Sequence, residues 1–329
     1  MGKTYEHEVV IIGAGPAGMC AGMYAGRAML NAVVLERGFP GGELLNTELI
    51  EDYPGFEHIL GNELAQKFSD HAVKFGAQIK TGVTVTTLRK RDDGMFETIA
   101  DNGDVYLSPT AIITAGGTPV KLGVPGELEY AGKGVSYCAI CDGAFFRNQT
   151  IAVVGGGDAA AEESDFLTRY ADKVYLIHRR NELRASKILQ RRVFENPKIE
   201  PIWDTVVESV EGNGQGLVDK LRLRNVVTDR TSDLPATGMF VFVGFRPNTG
   251  IIEGHVEHDS MGYLVTDVNM MTSISGLFAA GDLRAQLTRQ VTTAVGDATT
   301  AAIAAEKYLK ALRDGNKTPQ ISGTGGYTA

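Results

Sequence analysis

The chain has 329 residues, a length that favours two domains, and its 43% hydrophobic and 22% charged residues are typical of a globular protein. Its net charge of −8 argues against general binding to nucleic acid or anionic membranes. No apolar run approaches the roughly 20 residues of a membrane span. Three cysteines are too few for a disulfide scaffold, and no signal-peptide pattern is present. We therefore expect a cytoplasmic protein without a nucleic-acid or membrane partner.

The first predicted elements form a strand–loop–helix unit near the N-terminus. An apolar strand at residues 9–12 is followed by GAGPAG at 13–18 and then by an Ala-rich helix. The first glycine allows a tight turn, the second lets a pyrophosphate approach the backbone, and the third packs helix against strand. The next strand, at 32–35, ends at Glu36, which can bind ribose hydroxyls. This order is typical of a dinucleotide-binding unit.

A second unit of the same kind begins at residue 151. Its strand leads into Gly155-Gly156-Gly157 and another Ala-rich helix, and the following strand ends at residue 177. The position of the acid is taken here by His178-Arg179-Arg180, with Arg184 one turn later. Guanidinium groups bind phosphate well, so cations at this position favour the 2′-phosphate of NADP over the hydroxyl of NAD.

The second unit is predicted to be an insertion in the first. The apolar segment at 111–117 closes one part, and a further strand and a helix at 292–312 follow the insertion. We therefore predict an α/β fold with two Rossmann-like domains, a discontinuous one of residues 1–117 and 248–329 and an inserted one of residues 118–247. Within the insertion, the alternating residues 221–224 predict a half-buried antiparallel strand, and the polar residues 314–329 predict a poorly ordered tail.

The inserted region also contains a cysteine pair, Cys138-Ala139-Ile140-Cys141, followed by Asp142. A zinc site would require a second pair of ligands, which neither Cys20 nor the histidines supply at suitable spacing, so no metal is expected. Two incidental buried thiols are a second interpretation. The favoured one is a reversible disulfide, with Asp142 exchanging the proton that thiol–disulfide chemistry moves.

Near the end of the chain, an apolar strand runs into Gly281-Asp282, where Asp282 could bond a hydroxyl of FAD. Residues 289–291 begin the last helix, and a helix N-terminus suits the N1–C2=O region of a reduced flavin. Two nucleotide sites and a dithiol together define a two-electron relay from a nicotinamide through a flavin to the disulfide.

At this level of detail the sequence resembles the low-molecular-weight thioredoxin reductases over essentially its whole length. The matching stretches are GAGPAG (13–18), GGELLNTELIEDYPGF (41–56), CAICDG (138–143), GGGDAAAEE (155–163), HRRNELRAS (178–186), GFRPNT (244–249), GLFAAGD (276–282) and RQVTTAVGDATTAA (289–302). The resemblance implies a homodimeric flavoprotein that passes electrons from NADPH through FAD to the Cys138–Cys141 disulfide and then to thioredoxin.

The resemblance also implies roles for individual residues. Cys141 is expected to face the flavin, Cys138 to attack the disulfide of the partner, and Asp142 to act as acid and base. The family's NADPH domain rotates, and Gly117 and Gly244 are the candidate hinge positions. FAD is expected against Gly13, Gly15, Ala17, Gly18, Glu36, Arg37, Gly41, Gly42, Leu44, Asn46, Gly281, Asp282, Arg289, Gln290 and Val291 of the discontinuous domain. NADPH is expected against Gly155, Gly157, Asp158, Ala160, His178, Arg179, Arg180 and Arg184 of the inserted domain.

Alternatives remain open at this point. The same fold could use ferredoxin as the donor, reduce another dithiol partner protein, or serve as a non-catalytic flavin redox sensor. One departure from the family lies within the cysteine motif, where Ile140 replaces the usual Thr and makes the segment more apolar.

Overall fold

The structure is a computed structural model and describes residues 2–47 and 49–316. The chain forms two compact units, unit 1 with Met1–Thr118 and Arg246–Ala329, and unit 2 with Pro119–Phe245.

From the sequence, the crossings between domains are predicted at 117/118 and 247/248, and what each domain binds stays a prediction. Most of the tail predicted at 314–329 lies outside the described residues, because the description ends at residue 316.

The secondary structure alternates between strands and helices through most of the chain. In chain order the strands are β1 (Thr4–Glu6), β2 (Val9–Ile12), β3 (Ala32–Leu35), β4 (Leu49–Ile50), β5 (Ile59–Leu60), β6 (Gln78–Lys80), β7 (Val85–Lys90), β8 (Phe96–Ala100), β9 (Val105–Ser108), β10 (Thr110–Ile113), β11 (Gly117–Pro119), β12 (Val135–Ser136), β13 (Thr150–Gly155), β14 (Lys173–Ile177), β15 (Ile199–Ile202), β16 (Thr205–Gly212), β17 (Val218–Asn225), β18 (Thr231–Pro235), β19 (Gly238–Phe242), β20 (Phe245–Pro247) and β21 (Leu277–Ala279). The helices are α1 (Pro16–Arg27), α2 (Gly61–Lys74), α3 (Ala139–Asp142), α4 (Asp158–Leu167), α5 (Lys187–Glu195) and α6 (Val291–Arg313).

Unit 1 is built on a five-stranded sheet in the order β21-β10-β2-β3-β6, with all neighbours parallel. Both faces of this sheet are covered, which is why its strands are continuous apolar runs. Val9 and Ile11 of β2 pack into a cluster with α1 and α6, whereas Val10 and Ile12 pack on the opposite face with residues of β7, β8 and β9. The carboxyl ends of β2, β3 and β21 therefore share one edge.

Unit 2 repeats the same three-layer plan. Its parallel sheet has the order β12-β19-β13-β14-β15. Ile151 and Val153 of β13 face the cluster that includes residues of α3, α4 and α5, and Ala152 and Val154 face the antiparallel layer β16-β17-β18. The predicted α/β class with two Rossmann-like units is confirmed, and so are the antiparallel strand within β17 and the last helix, α6.

The chain crosses from one unit to the other within β11 and again within β20, and these two strands pair in a two-stranded sheet. Backbone N–H groups of Val120 and Asn248 donate to the carbonyls of Gly244 (2.8 Å) and Gly116 (3.0 Å) respectively. Gly244 has a φ of 119° and Gly116 a φ of 55°. Gly117, which was predicted with Gly244 as a hinge residue, lies within β11. The residue with a positive φ here is the preceding one, Gly116.

Candidate functional site

The first glycine loop lies between β2 and α1. Gly13 has a φ of 103°, and a Cβ there would lie 2.7 Å from the backbone oxygen of Thr114. A Cβ on Gly18 would overlap the carbonyl oxygen of Gly13. Among the described residues no side chain caps α1. The N–H groups of its first turn are therefore available to an anionic ligand.

Glu36 joins this loop to the end of β3. Its carboxylate accepts hydrogen bonds from the backbone N–H groups of Ala14 (2.8 Å) and Gly38 (2.8 Å). The carbonyl of Ala14 in turn accepts from the N–H of Gly41 (2.8 Å). A carboxylate offers about four acceptor positions, so Glu36 retains capacity for ribose hydroxyls.

A second glycine pair comes close to the first loop. Gly42 has a φ of 56°, and a Cβ there would lie 3.1 Å from the Cα of Gly15. Leu44 anchors this turn because its side chain is buried, and the Asn46 side-chain amide donates to Glu43 (3.2 Å). The segment around residues 41–46 therefore borders the N-terminus of α1.

The turn at Gly281 and Asp282 completes this edge of unit 1. A Cβ on Gly281 would lie 3.1 Å from the Cβ of Ala17, so the turn contacts the first helix. Asp297 of α6 accepts from the N–H of Gly281 (3.2 Å) and pairs with Arg284 (2.7 Å), and the side chains of that ion pair are each 12% exposed. Burial raises the pKa of Asp282 above its ordinary value, and nearby Arg289 opposes this shift.

Arg289 lies just before α6 rather than within it. The helix begins at Val291, with Gln290 at the N-cap position. The Arg289 guanidinium donates from Nε to the carbonyl oxygen of Asp282 (3.2 Å) and stacks on the Tyr263 ring at 3.8 Å. Most of the residues predicted to bind FAD thus meet at the carboxyl edge of one parallel sheet. A strand-end carboxylate and an uncapped helix N-terminus fit a dinucleotide there.

The second glycine loop, between β13 and α4, is equally constrained. A Cβ on Gly155 would overlap Phe242 and Ala160, whereas a Cβ on Gly157 would meet nothing within 4 Å. The loop is open at Gly157, where α4 begins without a side-chain cap among the described residues. The Asp158 carboxylate accepts from the N–H of Ser186 (2.6 Å), which ties this loop to the arginine-containing segment.

His178 and the three arginines occupy different positions. The His178 side chain is buried directly under Gly156, and its Nε2 has no hydrogen-bond partner among the described residues. Burial lowers the pKa of His178, and the guanidinium groups of Arg184, Arg180 and Arg179 lower it further. The three arginines therefore gather around the loop, exposed and without an ion pair in the described part of the chain. His178 is kept neutral and supports the loop from below.

Cys138 and Cys141 form a disulfide with a Cα–Cα distance of 5.3 Å. Cys138 is the N-cap residue of the single turn α3 and Cys141 lies within that turn, just after the edge strand β12. The N–H of Cys141 donates to the sulfur of Cys138 (3.2 Å), and Asp142 follows with its N–H directed to the carbonyl of Cys138 (3.3 Å). The hydrogen bond to sulfur would stabilise negative charge on Cys138 once the disulfide is opened.

Some positioning residues were missed by the sequence analysis. Asp297 holds the Gly281 turn, and Ser136, buried beside the disulfide, accepts from the Cys138 N–H and donates to the Cys138 carbonyl (both 3.1 Å). Nothing in the sequence marks Asp297, because its partners lie in another segment. A serine two residues before a cysteine is a weak signal that spacing alone cannot interpret.

Two glycine loops at sheet edges, an arginine cluster and a disulfide on a C-x-x-C turn define a nucleotide-dependent disulfide oxidoreductase. Within the described residues no three or more His, Cys, Asp or Glu side chains form a group that could hold a metal ion. No described helix has both the length and the apolarity to span a membrane.

The comparisons with known proteins agree with this class. The chain belongs to the pyridine nucleotide-disulphide oxidoreductase family, whose model matches residues 7–298. It is similar to the thioredoxin reductase of Listeria innocua, with 45% identity over 94% of this chain and 95% of that protein. It is also similar to the thioredoxin reductase of Bacillus subtilis, with 44% identity over 97% and 99%. The structure of Lactococcus lactis thioredoxin reductase superimposes with a TM-score of 0.89 at 42% identity, covering 92% of this chain and 99% of that one.

Proposed function

We propose that this chain is a flavoprotein that reduces the disulfide of thioredoxin with electrons from NADPH. The observation that carries the proposal is the Cys138–Cys141 disulfide within a unit that also contains a glycine loop and an arginine cluster. Thioredoxin reductases that align with nearly the whole chain support thioredoxin as the partner.

Unit 1 holds FAD in this proposal, and unit 2 holds NADPH. The α1 N-terminus would bind the FAD pyrophosphate, Glu36 a ribose, and Asp282 a hydroxyl of the flavin side chain. The α4 N-terminus would bind the NADPH pyrophosphate, and Arg179, Arg180 and Arg184 its 2′-phosphate. Bound FAD would supply the two-electron carrier between the nicotinamide and the disulfide.

The reduced cysteine pair completes the reaction by thiol–disulfide exchange. Cys138 attacks as a thiolate, because the Cys141 N–H stabilises its sulfur. It forms a mixed disulfide with thioredoxin and releases one thioredoxin sulfur. The Cys141 thiolate then attacks the Cys138 sulfur, which restores the enzyme disulfide and releases the second thioredoxin sulfur. Two electrons leave the enzyme, and thioredoxin becomes a dithiol.

Asp142 is the proposed acid and base in this exchange. Asp142 is a half-buried residue and directly follows Cys141. It would accept the proton that the Cys141 thiol must lose before attack, and donate a proton to a departing sulfur.

The direct test is the reduction of a purified bacterial thioredoxin by the flavin-loaded protein with NADPH. NADH in place of NADPH, and a glutaredoxin in place of thioredoxin, are the matched comparisons. We expect rapid turnover only with NADPH and thioredoxin. Flavin reduction by NADPH without thioredoxin reduction would favour another dithiol partner, and no flavin reduction by NADPH would favour another donor, such as reduced ferredoxin.

The protein is also proposed to act as a homodimer in the cytoplasm. The resemblance of its motifs to a homodimeric family supports the dimer, and a redox-active cysteine pair in place of structural disulfides suits a reducing compartment. Sedimentation equilibrium of the flavin-loaded protein would give twice the mass of one chain, and a monomer mass would overturn the dimer.

A further inference from the structure

Glu127 is a carboxylate inside unit 2 that belongs to neither glycine loop. Only 1% of its surface is exposed. It accepts three hydrogen bonds, from the N–H groups of Leu122 (2.9 Å) and Gly123 (2.6 Å) and from the hydroxyl of Tyr137 (2.7 Å). A buried carboxylate is costly unless such donors satisfy it. The cluster is therefore a specific arrangement and is not a chance surface contact.

The three donors come from two different segments of unit 2. Leu122 and Gly123 belong to the first stretch of unit 2, which begins at residue 119. Tyr137 directly precedes Cys138 and its half-buried ring packs in a core cluster on the β16-β17 side of the sheet. Glu127 thus ties the segment that enters unit 2 to the segment that carries the disulfide.

The Tyr137 hydroxyl is a permanent donor in this arrangement. Burial raises the pKa of Tyr137 well above its ordinary value, and the bond to Glu127 raises it further. The hydroxyl consequently keeps its proton throughout the physiological range and points its hydrogen at the carboxylate.

Cys138 is held from two sides as a result. The Ser136 hydroxyl fixes the backbone N–H and carbonyl of Cys138. Glu127 fixes Tyr137, the residue between Ser136 and Cys138, through the Tyr137 hydroxyl. The backbone between β12 and α3 then has little freedom. The Cys141 N–H donates to the Cys138 sulfur directly after this segment (3.2 Å).

We propose that Glu127 and Tyr137 form a positioning pair that fixes Cys138 for attack on the disulfide of the partner protein, an inference that rests on the proposed function. Neither side chain is assigned contact with the reacting atoms. They act through the backbone at residues 137–138, which keeps the Cys138 sulfur on the Cys141 N–H and so stabilises its thiolate.

The test uses the flavin-loaded protein and Tyr137→Phe, which removes the hydroxyl and keeps the ring. Tyr130→Phe is the matched control, because Tyr130 packs in the same cluster and its hydroxyl interacts with Glu129 and Gly212 instead. Glu127→Gln and the double variant of Glu127 and Tyr137 complete a double-mutant cycle. Three quantities are measured. The first two are the turnover of thioredoxin and of ferricyanide with NADPH, where ferricyanide accepts electrons before they reach the dithiol. The third is the pH dependence of iodoacetamide alkylation at Cys138 in the reduced protein.

For Tyr137→Phe we expect thioredoxin turnover to fall about two- to tenfold, the value of one hydrogen bond, with ferricyanide turnover unchanged. The midpoint of Cys138 alkylation should move up by about half a pH unit to one unit. The double variant should be no slower than the slower single variant, because the two side chains act as one unit.

Equal behaviour of Tyr137→Phe and Tyr130→Phe in turnover and alkylation would overturn the inference. So would a parallel loss of thioredoxin and ferricyanide turnover, which indicates general damage to unit 2. Failure of the unmodified protein to reduce thioredoxin would instead contradict the proposed function, and the alkylation midpoint would still decide the role of the pair.

Discussion

At the scale of single residues, the two sulfurs of the redox pair have different surroundings. Cys141 is exposed, whereas Cys138 is half-buried and receives the Cys141 N–H. We expect Cys141→Ser to leave FAD bound and to abolish thioredoxin reduction, because a lone Cys138 cannot reform the disulfide. Flavin absorbance and NADPH-dependent thioredoxin turnover measure the two effects. Cys20→Ala is the control, since Cys20 lies in the core of unit 1. Normal turnover of Cys141→Ser would refute the dithiol relay.

A second prediction at the residue scale concerns NADPH binding by the exposed arginines. We expect Arg179→Ala combined with Arg180→Ala to weaken NADPH binding about 100-fold with little effect on NADH, because two charge-assisted bonds to the 2′-phosphate are lost. Trp203, the single tryptophan, lies 6.5 Å from the His178 ring between centroids, and quenching of its fluorescence reports the binding. Arg191→Ala, on the exposed face of α5, is the control. Equal losses for NADPH and NADH would contradict the assignment.

Sequence motifs single out these residues but do not separate their surroundings. The run His178-Arg179-Arg180 looks uniformly basic in the sequence. In the structure His178 is buried under Gly156 and burial lowers its pKa, whereas Arg179 and Arg180 are both exposed. Distinguishing them required the position of the glycine loop, which is set by the packing of β13 against β14.

At the scale of elements, Asp297 of α6 accepts a hydrogen bond from the Gly281 N–H and forms a buried ion pair with Arg284. We expect Asp297→Asn to reduce the free energy of unfolding by about 3 kcal/mol, because Arg284 would remain buried without its partner. Urea denaturation of the apoprotein measures the change. Glu63→Gln is the comparison, since its pair with Lys67 is about half exposed, and its loss should cost less than about 0.5 kcal/mol. Similar effects of both substitutions would argue against a special role for Asp297.

The same turn predicts a dependence of stability on pH. Burial raises the pKa of Asp282, and Glu43 and Asp297 add to the shift. The folded apoprotein therefore holds the Asp282 proton at pH values where the unfolded chain has lost it. Stability from this group is present below the unfolded pKa of about 3.9 and is lost as pH rises toward the folded pKa. We expect Asp282→Asn to flatten that loss in urea unfolding measured from pH 4 to pH 7. The exposed Asp101→Asn is the control, and an unchanged slope in Asp282→Asn would contradict the prediction.

Elements were the most predictable level of the structure. The strands at 9–12 and 32–35 have the predicted bounds and β14 ends at the predicted residue 177, because buried parallel strands are uninterrupted apolar runs. The start of α6 was less predictable. Residues 289–291 were expected to open the helix, but Arg289 is drawn out of it by the Asp282 carbonyl and the Tyr263 ring. Those partners are distant in sequence, so no local pattern reveals them.

At the scale of the whole molecule, the flavin and the disulfide should behave as one four-electron system. We expect anaerobic titration with NADPH to bleach the flavin fully after about two equivalents per chain, because each centre accepts two electrons. In Cys141→Ser, about one equivalent should suffice. Full bleaching of the unmodified protein after one equivalent would mean that the disulfide is not connected. Bleaching by dithionite alone would point to another donor.

The insertion of unit 2 also sets an order of events during synthesis of the protein. The β10 strand of unit 1 pairs with β21, and the unit 1 core takes residues 294–309 from α6. This core cannot close until α6 has left the ribosome, whereas unit 2 is one continuous stretch and is complete earlier. The C-x-x-C turn therefore acquires its sheet before the first glycine loop does. In a nascent chain, the edge of β10 that pairs with β21 therefore stays unpaired until β21 has been synthesised, and an unpaired strand edge is open to pairing with other chains.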